Sequence, residues 1–117
     1  MSYEGIERRR WPRVKVNLPL RYRGVGEFNH LPMDSETKDI SEGGVRFTSE
    51  RFLPKNARFV VNLNLEDIPG VKAVVKIVWA ARNPHTNRYE VGAEFDNIPR
   101  EAKVHISNMV RKHLNYY

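Results

Sequence analysis

Asp39-Ile40-Ser41-Glu42-Gly43-Gly44 separates two segments that both read as strand, and it holds a carboxylate, a hydroxyl and two glycines within six residues. Asp and Ser side chains bond to nearby backbone in turns, and glycine reaches positive φ without a Cβ penalty. The hexapeptide therefore reads as a turn. Its chemistry exceeds what a turn needs. The Asp39 carboxylate can accept two hydrogen bonds side by side, which suits a planar N–H/N–H edge such as guanine's. Gly43 and Gly44 leave the backbone open to close approach by another molecule.

Outward from this turn the chain alternates. Upstream, Val14, Val16, Leu18, Leu20 and Tyr22 share one face and Lys15, Asn17, Pro19, Arg21 and Arg23 the other, the pattern of a half-buried strand with Pro19 marking an edge or bulge. Residues 24–36 are broken by Gly24, Gly26, Pro32 and Asp34, with Phe28-Asn29-His30-Leu31 a candidate for a short pairing. Thr37 to Ile40 leads into the turn, and Val45 and Phe47 resume an inward face. Three further alternating segments come after it. Phe59, Val61, Leu63 and Leu65 form one inward set, Val71, Ala73, Val75, Ile77 and Trp79 the next, and Tyr89, Val91, Ala93 and Phe95 the last. Turn residues at Asp67-Ile68-Pro69-Gly70 and Asn83-Pro84-His85-Thr86-Asn87 separate them. Short strands divided by such turns predict a small antiparallel barrel or sandwich. The period then changes: Ala102, Ile106, Met109, Val110 and Leu114 predict one amphipathic helix, with Asp96 or Asn97 as cap and Pro99 in its first turn.

The chain has 117 residues and a net charge of +6, enough for one domain with a modest core. It contains no cysteine, which excludes disulfides and thiolate metal sites. No apolar run approaches the ~20 residues that cross a bilayer, and the arginine-rich N-terminus lacks the apolar core of a secretory signal; a cytoplasmic protein is expected. Residues 7–23 carry seven Lys or Arg against one acid, while the remainder balances, so the excess charge is local and favours an anionic partner there. No catalytic residue and no metal ligand set is expected. His30, His85, His105 and His113 lack metal-binding spacing, Ser41 lacks the context of a nucleophile, and phosphate-loop fingerprints are missing, so the chain does not read as an enzyme.

The charged stretch is Glu7-Arg8-Arg9-Arg10-Trp11-Pro12-Arg13, with four arginines in six residues. Guanidiniums fork to phosphate and stack on flat rings. Only Glu4 and Glu7 lie nearby in sequence to pair with them. Arg9-Arg10-Trp11-Pro12-Arg13 fits the pattern RxxxR, and Asp39 to Gly44 fits DxSxxG, in that order. In these two motifs and in the ending Val91-Gly92-Ala93-Glu94-Phe95 before a helix, the chain resembles the PilZ domain family, bacterial receptors for cyclic di-GMP. The resemblance covers nearly the whole chain. It implies an all-β fold with a C-terminal helix: a small antiparallel six-stranded barrel over residues 14–97, a mobile ligand-binding arm at 1–13 and a helix at 98–117 packed on the barrel. It implies that Arg9 and Arg13 hold the ligand's phosphates and meet guanine, that Asp39 and Ser41 take a guanine edge, and that Gly43 and Gly44 permit the turn and close contact. Arg8 and Arg10 would add contacts or favour a second stacked ligand. Independently of the resemblance, Trp79 reads first as core, while its place near a strand end before small Ala80 and Ala81 leaves a stacking role open. The ligand the resemblance implies is cyclic di-GMP, with no cofactor. The output would be an ordering of the arm that signals to an unidentified effector protein in motility, biofilm or surface behaviour.

Two other readings compete. A small basic barrel for single-stranded nucleic acid needs exposed aromatics among its basic residues, and only Trp11 and Tyr22 fall in the basic segment, Tyr22 on the inward face. A PilZ-like interaction module that does not bind nucleotide would not need both motifs intact.

Overall fold

The computed structural model of the protein describes residues 12–114. Seven strands form one sheet: β1 (Val14–Lys15), β2 (Pro19–Gly24), β3 (Met33–Ile40), β4 (Gly44–Ser49), β5 (Arg58–Leu63), β6 (Val71–Asn83) and β7 (Arg88–Asn97), followed by the helix α1 (Arg100–His113). The strand order β3-β2-β5-β6-β7-β4, with β4 paired back to β3, closes a six-stranded antiparallel barrel. Closure leaves no long free edge. The two-residue β1 lies on the same side of β3 as β2, next to Asp39 and Ile40.

The expected first strand is thus two. Thr37 causes the break: its hydroxyl donates to the Val16 carbonyl and accepts from the Leu18 backbone N–H at 2.9 Å, while Asn17 Nδ2 donates to the Thr37 carbonyl at 2.8 Å. A buried threonine side chain here replaces a stretch of ladder. The region read as irregular also differs. Met33 to Glu36 is strand, paired to Tyr22 through Pro19, whereas Phe28 and Leu31 stay unpaired and are 81% and 87% exposed. Met33-Asp34-Ser35-Glu36 carries no apolar alternation because both its faces are partly solvated.

Apart from Trp79, the inward alternation builds the core as expected. Tyr22 sits at its centre, ring centroids 5.2 Å from Phe47 and 6.2 Å from Phe59. Its hydroxyl donates to Ser49 Oγ at 2.8 Å, and Ser49 Oγ donates to the Arg51 carbonyl, so the buried phenol is satisfied. Helix α1 buries Ala102, Ile106, Met109 and Val110 in the same cluster. His105 Nδ1 lies 2.9 Å from Asp67 Oδ2 and His113 Nε2 lies 2.7 Å from Glu66 Oε2, tying the helix to the β5–β6 turn. The N-cap is Pro99 with no side-chain cap bond, not Asp96 or Asn97, which end β7. Glu101 in the first turn and Arg111, Lys112 and His113 in the last suit the helix dipole. No helix among the described residues is long and apolar enough to cross a membrane.

Candidate functional site

Asp39 is the penultimate residue of β3, just before the turn, and its carboxylate is nearly buried. Ile40, Val45, Phe47, Val91 and Ala93 point into the core, so the alternate positions 39, 46 and 92 face outward. Register lines them up. Lys15, Asp39, Arg46, Gly92 and Trp79 are successive cross-strand partners through β1, β3, β4, β7 and β6. Directly opposed residues in such a row have Cβ atoms roughly 5 Å apart.

Arg13, immediately before β1, donates from Nη1 to Asp39 Oδ1 at 2.9 Å. The end of the arginine-rich stretch therefore meets the carboxylate of the second motif, 26 residues later in the chain. On the other side, Arg46 Nε donates to Asp39 Oδ2 at 2.8 Å, and Arg46 Nη1 donates to Glu90 Oε1 at 3.0 Å. One carboxylate thus lies between two guanidiniums. It retains acceptor capacity, because a carboxylate has about four lone-pair positions. Arg46 and Glu90 were missed by sequence reasoning; the only available signal was the outward parity of Arg46 two residues past Gly44.

Ser41 braces the turn itself. Its Oγ accepts from the N–H of Gly43 at 3.1 Å and of Gly44 at 3.2 Å, and its own N–H donates to the Gly44 carbonyl at 2.9 Å. The O–H lies a long 3.5 Å from the Gly44 carbonyl. The glycines act differently from the turn expectation. Positive φ among the described glycines occurs at Gly26 and Gly70, not at Gly43 or Gly44. Gly44 instead admits the neighbouring strand: a Cβ there would stand 2.2 Å from the Ala93 carbonyl oxygen. Gly43 accepts from the Phe95 N–H at 2.9 Å.

Trp79 leaves the inward set to which the alternation assigned it. The β6–β7 register slips between Ile77 and Trp79, so a bulge at Val78 reverses the parity of the residues beyond it. The indole turns outward, 39% exposed, and lies across Gly92, where a Cβ would come within 2.3 Å of its Nε1. The structure therefore brings Arg13, Asp39, Ser41, Gly43 and Gly44 together at one rim, with Trp79 on the same outward row. Arg8, Arg9 and Arg10 lie outside the described residues. Among the described residues no group of three or more His, Asp or Glu side chains is placed to hold a metal ion.

The fold has known counterparts. The chain superposes on the Bacillus subtilis inhibitor of motility MotI/DgrA with a TM-score of 0.77 at 14% identity, covering 92% of this chain and 52% of that one. The PilZ domain of Escherichia coli YcgR, solved with c-di-GMP, gives 0.68 at 12% identity, covering 92% of each chain. The c-di-GMP complex of MrkH from K. pneumonia gives 0.69 at 16% identity, covering 92% of this chain and 52% of that one. At such identities the likeness is one of fold, and this chain spans about half the length of the inhibitor of motility and of MrkH. No curated protein sequence matches it. The PilZ domain pattern matches residues 7–112, nearly the full length. With that match over nearly the full length, and with the barrel and its closing helix, the chain belongs to the PilZ domain family.

Proposed function

We propose that the protein is a receptor for cyclic di-GMP, which it binds on the outward face of the barrel beside Asp39. The observation that carries this is the meeting of Arg13 with Asp39, which brings the last arginine of the N-terminal stretch to the Asp-Ser-Gly turn. Cyclic di-GMP is a dianion with two guanines. Guanidiniums from Arg9 and Arg13 bind its phosphates and fork to guanine O6 and N7. The remaining lone pairs of Asp39 accept from the guanine N1–H and N2–H, and the Ser41 O–H donates to the O6 beside them. Gly43 and Gly44 keep the rim free of side chains. Trp79, flat against Gly92, offers a stacking face. Arg8 and Arg10 contact a further phosphate or a second stacked ligand. Structures of relatives with c-di-GMP support the reading.

The output in this proposal is conformational. Residues 1–13 close over the ligand as their arginines engage it. Ordering about a dozen residues costs free energy that charge-assisted bonds must exceed. A partner whose surface includes the closed arm then senses the ligand. Calorimetric titration with cyclic di-GMP and, separately, cyclic di-AMP tests the receptor role. Adenine lacks the N1–H and N2–H edge and presents N6–H₂ where guanine has O6, so at least tenfold weaker binding is expected. Equal affinities, or no binding of cyclic di-GMP, would overturn it.

A further inference from the structure

Arg46 is bonded on both flanks by acids from two strands, Asp39 on β3 and Glu90 on β7. It is less exposed than Arg13, at 29% against 44% of side-chain surface. A guanidinium fixed at two donors is held in orientation as well as in place. Asp39, by contrast, has a broad terminal torsion of its own, and Arg13 touches it through a single donor on a more exposed chain. Which lone pairs of Asp39 remain free is therefore set from the Arg46 side.

Register adds a second point. Arg46 stands between Asp39 and Gly92, and Gly92 carries the Trp79 indole. A purine that rests on the indole with its edge on Asp39 must pass over Arg46. The spacing of two row steps, roughly 10 Å, matches the span of a base and its edge contacts.

The geometry points to Arg46 as a positioning residue for base selection: clamped by Glu90, it holds the Asp39 carboxylate so that its free lone pairs meet an N–H/N–H edge. A guanine is accepted in that arrangement and an adenine is not. The assignment rests on the cyclic di-GMP reading above and deepens it. The competing role is simple charge, in which Arg46 attracts any dianion regardless of base.

The two roles separate by selectivity. Wild type, R46A, R46K and E90A are each titrated with cyclic di-GMP and with cyclic di-AMP, the weaker ligand by competition, and each is melted without ligand. R46A is expected to lose roughly tenfold in cyclic di-GMP affinity and little in cyclic di-AMP affinity, so the ratio between them collapses. R46K keeps the charge but not the fork, and fails to restore the ratio. E90A, which frees one end of Arg46, gives an intermediate ratio. Equal loss of both ligands in R46A, full rescue by R46K, or unchanged selectivity in R46A overturns the assignment. Should R46A melt early, R46K and E90A carry the comparison, and wild-type selectivity in both overturns it. Wild-type binding with unaltered variants sinks this inference alone. Failure of the wild type to bind either dinucleotide sinks the receptor reading and this one with it.

Discussion

Replacing Gly44 by alanine separates a glycine needed by the barrel from one needed by a ligand. The new Cβ would lie 2.2 Å from the Ala93 carbonyl oxygen and 3.1 Å from Glu94 Cα. Both are backbone atoms of β7, so no rotamer change relieves the overlap. Ordinary non-bonded contacts begin near 3.5 Å, so β7 must retreat by about 1 Å. The Gly44–Glu94 pairing and the bond from Phe95 N–H to the Gly43 carbonyl lie at the point of contact. Overpacking of this kind costs about 1–3 kcal/mol, and one weakened backbone bond adds about 1 kcal/mol. A total of about 2–4 kcal/mol lowers the Tm of a domain this size by roughly 10–20 °C. Thermal and urea melts followed by circular dichroism, without ligand, measure it. G44A melting within about 2 °C of wild type would refute the reasoning and return Gly44 to a ligand-only role.

Two further outcomes are expected. Deleting residues 1–10 should abolish cyclic di-GMP binding while leaving Tm nearly unchanged, because the buried cluster of the described residues begins at Val14; a deletion that binds normally shows the arginine arm to be dispensable. Acid sensitivity should trace in part to Asp96, whose carboxyl is held below its ordinary value by the hydrogen bond from Arg58 and by the charges of Arg58 and Lys76. A lowered folded pKa contributes stability above the unfolded value, near 4, that is lost as pH falls through the folded one. The Tm difference between wild type and D96N should therefore narrow below about pH 4, and a difference constant from pH 7 to pH 2.5 would contradict this origin.

The barrel was legible because its strands bury one face. Leu20 and Tyr22, Val61 and Leu63, Val75 and Ile77 each announce a strand by parity, and Ala102, Ile106, Met109 and Val110 announce the helix by period. The features that escaped have local physical causes. Met33 to Glu36 is held by backbone pairing to β2 and by Ser35 Oγ donating to the Thr48 carbonyl, neither of which leaves an apolar signature. The gap at Asn17 is made by a Thr37 hydroxyl twenty residues away. One extra residue at Val78 moved Trp79 from the inside to the outside, a reversal that parity cannot register. In the site, Asp39 and Arg13 stood out through their motifs. Arg46 and Glu90 did not, because their importance comes from cross-strand register, and Gly44 and Gly92 are glycines for the sake of Ala93 and Trp79 beside them.

The most direct measurement is a nuclear magnetic resonance titration of the ¹⁵N-labelled chain with cyclic di-GMP. The account predicts that the largest shifts fall on the amides of Arg13, Asp39, Ser41, Gly43 and Gly44 and on the Trp79 indole N–H, with cyclic di-AMP producing far smaller ones at equal concentration. Shifts centred instead on the polar groove lined by Ser35, Thr48, Asn83 and Arg88, or no shifts at all, would contradict it.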